Sequence, residues 1–329
     1  MAPKRPRDEM QNEKDAKKLK SFVNLISAIK NEDIVEVRNI VKNEGNVDFT
    51  DSLQQRTPLV YAVDFQKMGV VRELLELGAN VNFDGCLMGE TALAAAVRKG
   101  NINMVKILLN HGADPKLKDY ISRSPIIIAA ECNNLEIVKE LLKNGATIEE
   151  HNHFSETPLM IATSYGYLDL VRELLKLGAN IEAKNGIGDT PLIFATRKNK
   201  LEIVRELLQN GANPCSRNIL EQTPLMVAAK IGNVEITKLL LDNGAKVDLE
   251  DRFGETALAT AKEYGNQSVA NEIINYRYKA NRKSKVIKKE KTLLIDQSNN
   301  KTDKKCFVEN EENDLTSALK MSQNEFIKV

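Results

Sequence analysis

"TPLMIATSYGYLDLVRELLKLGA", residues 157–179, holds two short helices and the break between them. Thr157 carries a side-chain oxygen that can cap a helix start, and Pro158 fits the first helical position, where a missing N–H costs nothing. Nine residues after the cap stands Gly166, a residue that tolerates the left-handed conformation ending a helix. Leu168, Val171, Leu174 and Leu175 then recur at helical spacing, while Asp169 with Arg172 and Glu173 with Lys176 form i, i+3 pairs on the wet face. Gly178 ends the second helix.

The pattern repeats along the chain. "TPLVYAV" from Thr57, "TALAAAV" from Thr91, "SPIIIAA" from Ser124, "TPLIFAT" from Thr190, "TPLMVAA" from Thr223 and "TALATAK" from Thr256 complete a 33-residue series whose first step is 34. Gly78, Gly112, Gly145, Gly211 and Gly244 keep the same period, and Gly100, Asn133, Asn199, Gly232 and Gly265 fall at the mid-unit break. Only Gln66 departs from the Gly or Asn rule there. So short a helix pair cannot bury its apolar face alone, so it must stack on its neighbours, and the expected fold is an all-α solenoid.

The unit length and the TPL-x-x-A pattern resemble the ankyrin-repeat family, whose TPLHxA signature is matched over residues 21 to about 276. The family's usual His is replaced by Val60, Ala94, Ile127, Met160, Ile193, Met226 and Ala259. Residues 21–54 read as a degenerate N-terminal cap, since Leu25, Ala28, Val37, Ile40 and Val41 align with Leu59, Ala62, Val71, Leu74 and Leu75 at an offset of 34. With repeats over 55–253 and a C-terminal cap over 254–276, about eight units are expected. The resemblance implies β-hairpin finger loops beside a concave groove, and a protein that binds another protein without catalysis.

In that register "EEHNHFSETPLM", residues 149–160, is a finger loop. His151 and His153 form an H-x-H pair, but a metal needs further ligands, and the loop offers no cysteine and no carboxylate cluster beyond Glu149 and Glu150. No metal is expected. Three residues before each cap stand Gln54, Met88, Ile121, Phe154, Ile187, Leu220 and Phe253, a largely apolar series placed at the fingertips. The residues one further back vary and include Tyr120, His153 and Arg252. Along the groove, the ends of the first helices place Phe65, Arg98, Tyr165, Arg197 and Lys198, with three cationic units suited to an acidic peptide. Arg and Tyr favour interface hot spots, so these tip and groove residues form the expected partner-binding set.

At 329 residues, with 42% apolar and 28% charged content, the chain has material for a long core. A net charge of +1 makes direct nucleic-acid binding an unfavoured expectation. Cys86, Cys132, Cys215 and Cys306 are isolated, so reduced thiols are expected. There is no phosphate-binding glycine loop or nucleophile elbow, so no enzyme activity and no cofactor are expected. No apolar run is long enough to span a bilayer, and "MAPKRPRDEM" lacks a signal peptide's apolar stretch. Residues 1–20 read as a basic disordered arm in which Lys4 and Arg5, then Lys17, Lys18 and Lys20, resemble a bipartite nuclear-import signal that an importin would read. Residues 277–329 turn basic, then acidic ("VENEEND"), and read as a disordered tail. The expected role is a non-catalytic adaptor or regulator in the nucleus or cytoplasm. The alternatives are a transcriptional regulator in DNA-bound complexes and a microbial effector directed at a host.

Overall fold

The computed structural model describes residues 20–50, 55–84, 89–279 and 282. The chain divides after Ile273 into two compact units. In the first, residues 20–30 (α1) and Ile34–Glu44 (α2) form the first helix pair. Six pairs follow: Pro58–Asp64 with Met68–Glu76 (α3, α4), Ala92–Arg98 with Ile102–Asn110 (α5, α6), Pro125–Glu131 with Leu135–Lys143 (α7, α8), Pro158–Tyr165 with Leu168–Lys176 (α9, α10), Pro191–Arg197 with Leu201–Gln209 (α11, α12), and Pro224–Ile231 with Val234–Asp242 (α13, α14). Ala257–Glu263 (α15) and residues 267–273 (α16) complete an eighth. In the second unit, residues 274–279 are helical.

From α3 onward, first helices pack on first helices and second helices on second helices, giving two layers. The first helices are sandwiched. In α5, Ala92 to Val97 are all buried, as expected of a helix that is apolar all round. Ala62, Ala96, Ala129, Ala162, Ala195, Ala228 and Ala261, the alanines of the repeated motif, each have 0% exposure, so a larger side chain there would overpack the stack. Second helices bury a single stripe, such as Leu170, Val171 and Leu174 in α10. Their wet faces carry ion pairs within a helix, Asp169 to Arg172 at 3.5 Å and Glu173 to Lys176 at 2.8 Å. They also carry pairs between units: Arg38 to Glu73 at 2.6 Å, Lys139 to Glu173 at 2.9 Å and Arg172 to Glu206 at 2.8 Å.

The helix starts follow from the sequence. The Oγ1 atoms of Thr57, Thr91, Thr157, Thr190, Thr223 and Thr256 each accept the N–H three residues on, at 3.2–3.4 Å. Ser124 occupies the same place, but its buried Oγ has no partner. The mid-unit break is backbone geometry rather than residue identity. Asn133 and Asn199 adopt φ of 53° and 56°, and Gln66 adopts 56° despite its β-carbon. Glu32, which aligns with Gln66 at an offset of 34, does the same at 58°. Leu25, Ala28, Val37, Ile40 and Val41 are all buried, as their alignment with the second unit requires.

A non-glycine residue held at positive φ is strained, and glycine removes the strain at a smaller entropic cost. Gln66→Gly is therefore expected to stabilise the fold by about 0.5–1 kcal/mol, read as a higher urea midpoint. An unchanged or lower midpoint would show that Gln66 bears no strain.

Candidate protein-binding surface

Each described finger between α6 and α15 is built on one acidic or amide residue: Asp119, Asn152, Asn185, Asn218 or Asp251. In all five, Oδ1 accepts the backbone N–H groups two and four residues on, at 2.8–3.1 Å. The residue three positions on, which is Ser122, Ser155, Gly188, Glu221 or Gly254, has φ between 59° and 78°. Two backbone bonds then close each loop, as from Asn152 N–H to the Glu156 carbonyl at 3.1 Å and from Ser155 N–H to the Asn152 carbonyl at 2.9 Å. A turn followed by a left-handed residue is the three-residue hairpin loop. Among the described residues the hairpins end there without a ladder, apart from one antiparallel bridge between Glu250 and Thr256.

Neighbouring fingers are tied by backbone bonds. The N–H groups of Gly186, Ile219 and Arg252 donate to the carbonyls of Phe154, Ile187 and Leu220 at 2.8, 3.2 and 3.0 Å. Gly188 has to be glycine for this contact, because at φ 76° a β-carbon would lie 2.8 Å from the Ile219 nitrogen. One joint is different: at 3.1 Å, His153 Nδ1 donates to the Ile121 carbonyl, taking the place of a backbone donor. The His153 ring also lies 3.7 Å from that of Phe154. His151 Nδ1 faces the Asn152 carbonyl instead, at 3.2 Å. Among the described residues no cluster of His, Cys, Asp and Glu could hold a metal ion.

The tips are exposed. Tyr120, Ile121, Phe154, Ile187, Ile219, Leu220 and Phe253 are between 40 and 73% accessible, and Arg252 and His153 also face solvent. Five consecutive fingers thus form an apolar ridge on a locked backbone. Met88 lies outside the described residues.

The groove is more self-paired than its sequence indicates. Arg98 bridges Glu90 at 2.8 Å and Asp64 at 3.0 Å, Lys99 reaches Asp64 at 3.7 Å, and Arg56 bonds both Asp64 and Glu90. Arg123 bonds Asp119 at 2.9 Å and Glu131 at 3.2 Å. Arg197 clasps the fully buried Asp189 carboxylate at 2.6 and 3.0 Å, and Asn218 donates to it as well. Arg98 and Arg197 are thus engaged with their own chain. Phe65 is half-buried, 5.9 Å from Tyr61 and under Lys30. Tyr165 stacks on Tyr167 at 5.4 Å and stays exposed, and Lys198 stands over the Phe194 ring at 5.4 Å. Lys20 is exposed at the start of α1, while Lys4, Arg5, Lys17 and Lys18 lie outside the described residues.

Two periodic signals in the sequence mark these contacts. One is the Asp or Asn every 33 residues at the finger base; the other is the opposite charge eight residues apart in Arg56/Asp64, Glu90/Arg98, Arg123/Glu131 and Asp189/Arg197. Reading only the tips and helix ends misses both.

Burial pushes the Glu131 carboxyl above its usual range, with Asp119 and Glu156 adding repulsion against the opposing pull of Arg123. Burial likewise raises the Cys132 thiol. A raised acid binds its proton more tightly in the folded state, so stability falls as pH rises from the ordinary Glu value through the folded one. Urea midpoints measured between pH 4 and pH 8 are expected to fall less steeply for Glu131→Gln than for wild type. Equal slopes would remove Glu131 as the cause.

The family model for "Ankyrin repeats (3 copies)" matches residues 25–119, 126–218 and 214–284, and the chain belongs to the ankyrin-repeat family. It is similar to the human ASB11 ankyrin repeat domain, with 26% identity and a TM-score of 0.58 over 67% of this chain and 98% of that one. No curated protein matches it. The chain therefore carries a protein–protein interaction module on a scaffold that is typically non-catalytic. No helix among the described residues is long and apolar enough to cross a membrane.

Proposed function

We propose that this protein is a non-catalytic adaptor or regulator that captures a partner protein on its fingertip ridge and adjoining groove. The observation carrying this reading is the run of five fingers whose apolar tips stay exposed while their backbones are held by side-chain and inter-finger hydrogen bonds. Burying such tips against a partner is favourable, and a backbone already held in place loses little entropy on binding. Phe154→Ala, Ile187→Ala and Leu220→Ala combined are expected to abolish capture of specific proteins from nuclear and cytosolic extracts, with an unchanged circular dichroism spectrum. Equal capture by the folded variant would end the ridge as the binding site.

The basic arm supports import into the nucleus through an importin, with Lys4 and Arg5 as one cluster and Lys17, Lys18 and Lys20 as the other. A fluorescent fusion of the full chain is expected to lose nuclear accumulation when Lys17, Lys18 and Lys20 are changed to Ala. Unchanged accumulation would refute the signal.

A further inference from the structure

Among the described residues, seven of the fifteen large apolar side chains left in water sit on five consecutive fingertips, so a small part of the surface holds nearly half of them. The hydrogen bonds from finger to finger fix the order of the row. The first tip carries Tyr120 and Ile121, the second Phe154, the third Ile187, the fourth Ile219 and Leu220, and the fifth Phe253. Turned end for end, this order sets a tip with one such side chain against a tip with two. Phe253 then faces the Tyr120 and Ile121 pair, Phe154 faces the Ile219 and Leu220 pair, and Ile187 meets its own copy. One large side chain set between two others fills space that like against like leaves empty. The same reversal brings Arg252, which has no ion pair among the described residues, to the exposed ring of Tyr120. It also brings His153 to the exposed Glu221 carboxylate, which Arg217 holds at 2.6 Å. At the turning point Gly186 and Gly188 flank Ile187, so the middle tip is the slimmest of the five and allows a close approach.

We infer that two copies of this chain pair through their fingertip ridges, antiparallel about a two-fold axis at Ile187. This rests on the reading of the ridge as a protein-binding surface, and it names a second copy as the ridge's own occupant. A two-fold contact presents the same patch from both sides, so each residue has to find its match in the reversed row, as these tips do. The area is sufficient. A residue of this size has a full surface of about 200 Å², and the seven are on average a little over half exposed, so each copy brings about 750 Å² of surface. A standard interface takes about 800 Å² per partner. A protein captured on the ridge then competes with the second copy, which keeps the tips out of water until that protein arrives.

The test is sedimentation velocity on the full chain over about 1–100 μM, a range that spans weak and moderate pairing. Wild type is expected to pass from one chain to two as concentration rises. Ile187→Asp sets two carboxylates against each other at the axis and is expected to weaken pairing about a hundredfold or more. Val35→Asp, at an exposed valine of α2, is expected to pair as wild type does. Phe154→Asp serves in place of Ile187→Asp if circular dichroism shows the latter unfolded. The register is read by mild oxidation of cysteine variants, scored above the wild-type background. Ile187→Cys is expected to cross-link to itself, and Ile121→Cys to Phe253→Cys when the two are mixed, whereas Phe253→Cys alone is not. A wild type that stays monomeric, pairing that survives Ile187→Asp, or self-cross-linking by Phe253→Cys in place of Ile187→Cys would overturn the inference. A monomer whose fingertip triple variant still loses its captured proteins would remove the second copy and leave the ridge reading standing. A dimer abolished by Ile187→Asp, with capture unchanged in the triple variant, would leave the pairing standing and remove capture at the ridge.

Discussion

A pair of helices of seven to eleven residues has apolar surface that its own partner helix cannot cover, so each unit is stable only against the next. That coverage works only if every unit presents the same residues at the same height. The chain must therefore reverse at the same points in each period, and the mid-unit reversal needs a residue at positive φ. Glycine or asparagine supplies it in six units, while Gln66 and Glu32 adopt it against their own preference because the stack on either side leaves no other path. The buried alanines, the threonine caps and the apolar stripes of the second helices all depend on that shared register.

The surface inherits the register as well. Stacking brings successive fingers close enough for the backbone N–H of one to reach the carbonyl of the one before, which turns separate loops into a continuous ridge. The finger-base Asp or Asn holds each tip's turn, so the apolar residues are displayed rather than folded away. Where a backbone donor is not used, at the joint between Ile121 and His153, an imidazole makes the bond. The histidine that resembles a metal ligand in sequence is in this fold a finger-to-finger hydrogen-bond donor.

The groove follows a different rule. Charges at the ends of the first helices meet charges from the finger base of the same unit and, at Asp64, from the next unit, so their effect on a partner depends on what is left after internal pairing. In the units of α3 to α8 little is left. Lys30 over Phe65, Lys198 over Phe194 and Lys230 beside Tyr264 have no ion pair among the described residues, nor have Glu255 and Glu263, and the electrostatic character of the groove is set by these few unpaired groups rather than by its composition.

The sequence by itself determined the period, the helix starts and breaks and the buried positions, and it placed the apolar series at the fingertips without deciding whether those side chains stay exposed. Each of these depends on side-chain polarity and backbone preference that recur every 33 residues, and recurrence in a chain is visible without coordinates. Only the tertiary structure decided that Arg98 and Arg197 are spent on their own chain, that His153 joins two fingers, and that Lys198 and Lys230 are left facing outward. A charged or polar side chain makes its bond with whatever lies within about 3 Å of its tip. That neighbour is set by how one unit's loops and helices are placed against the next, a geometry that no single 33-residue period contains.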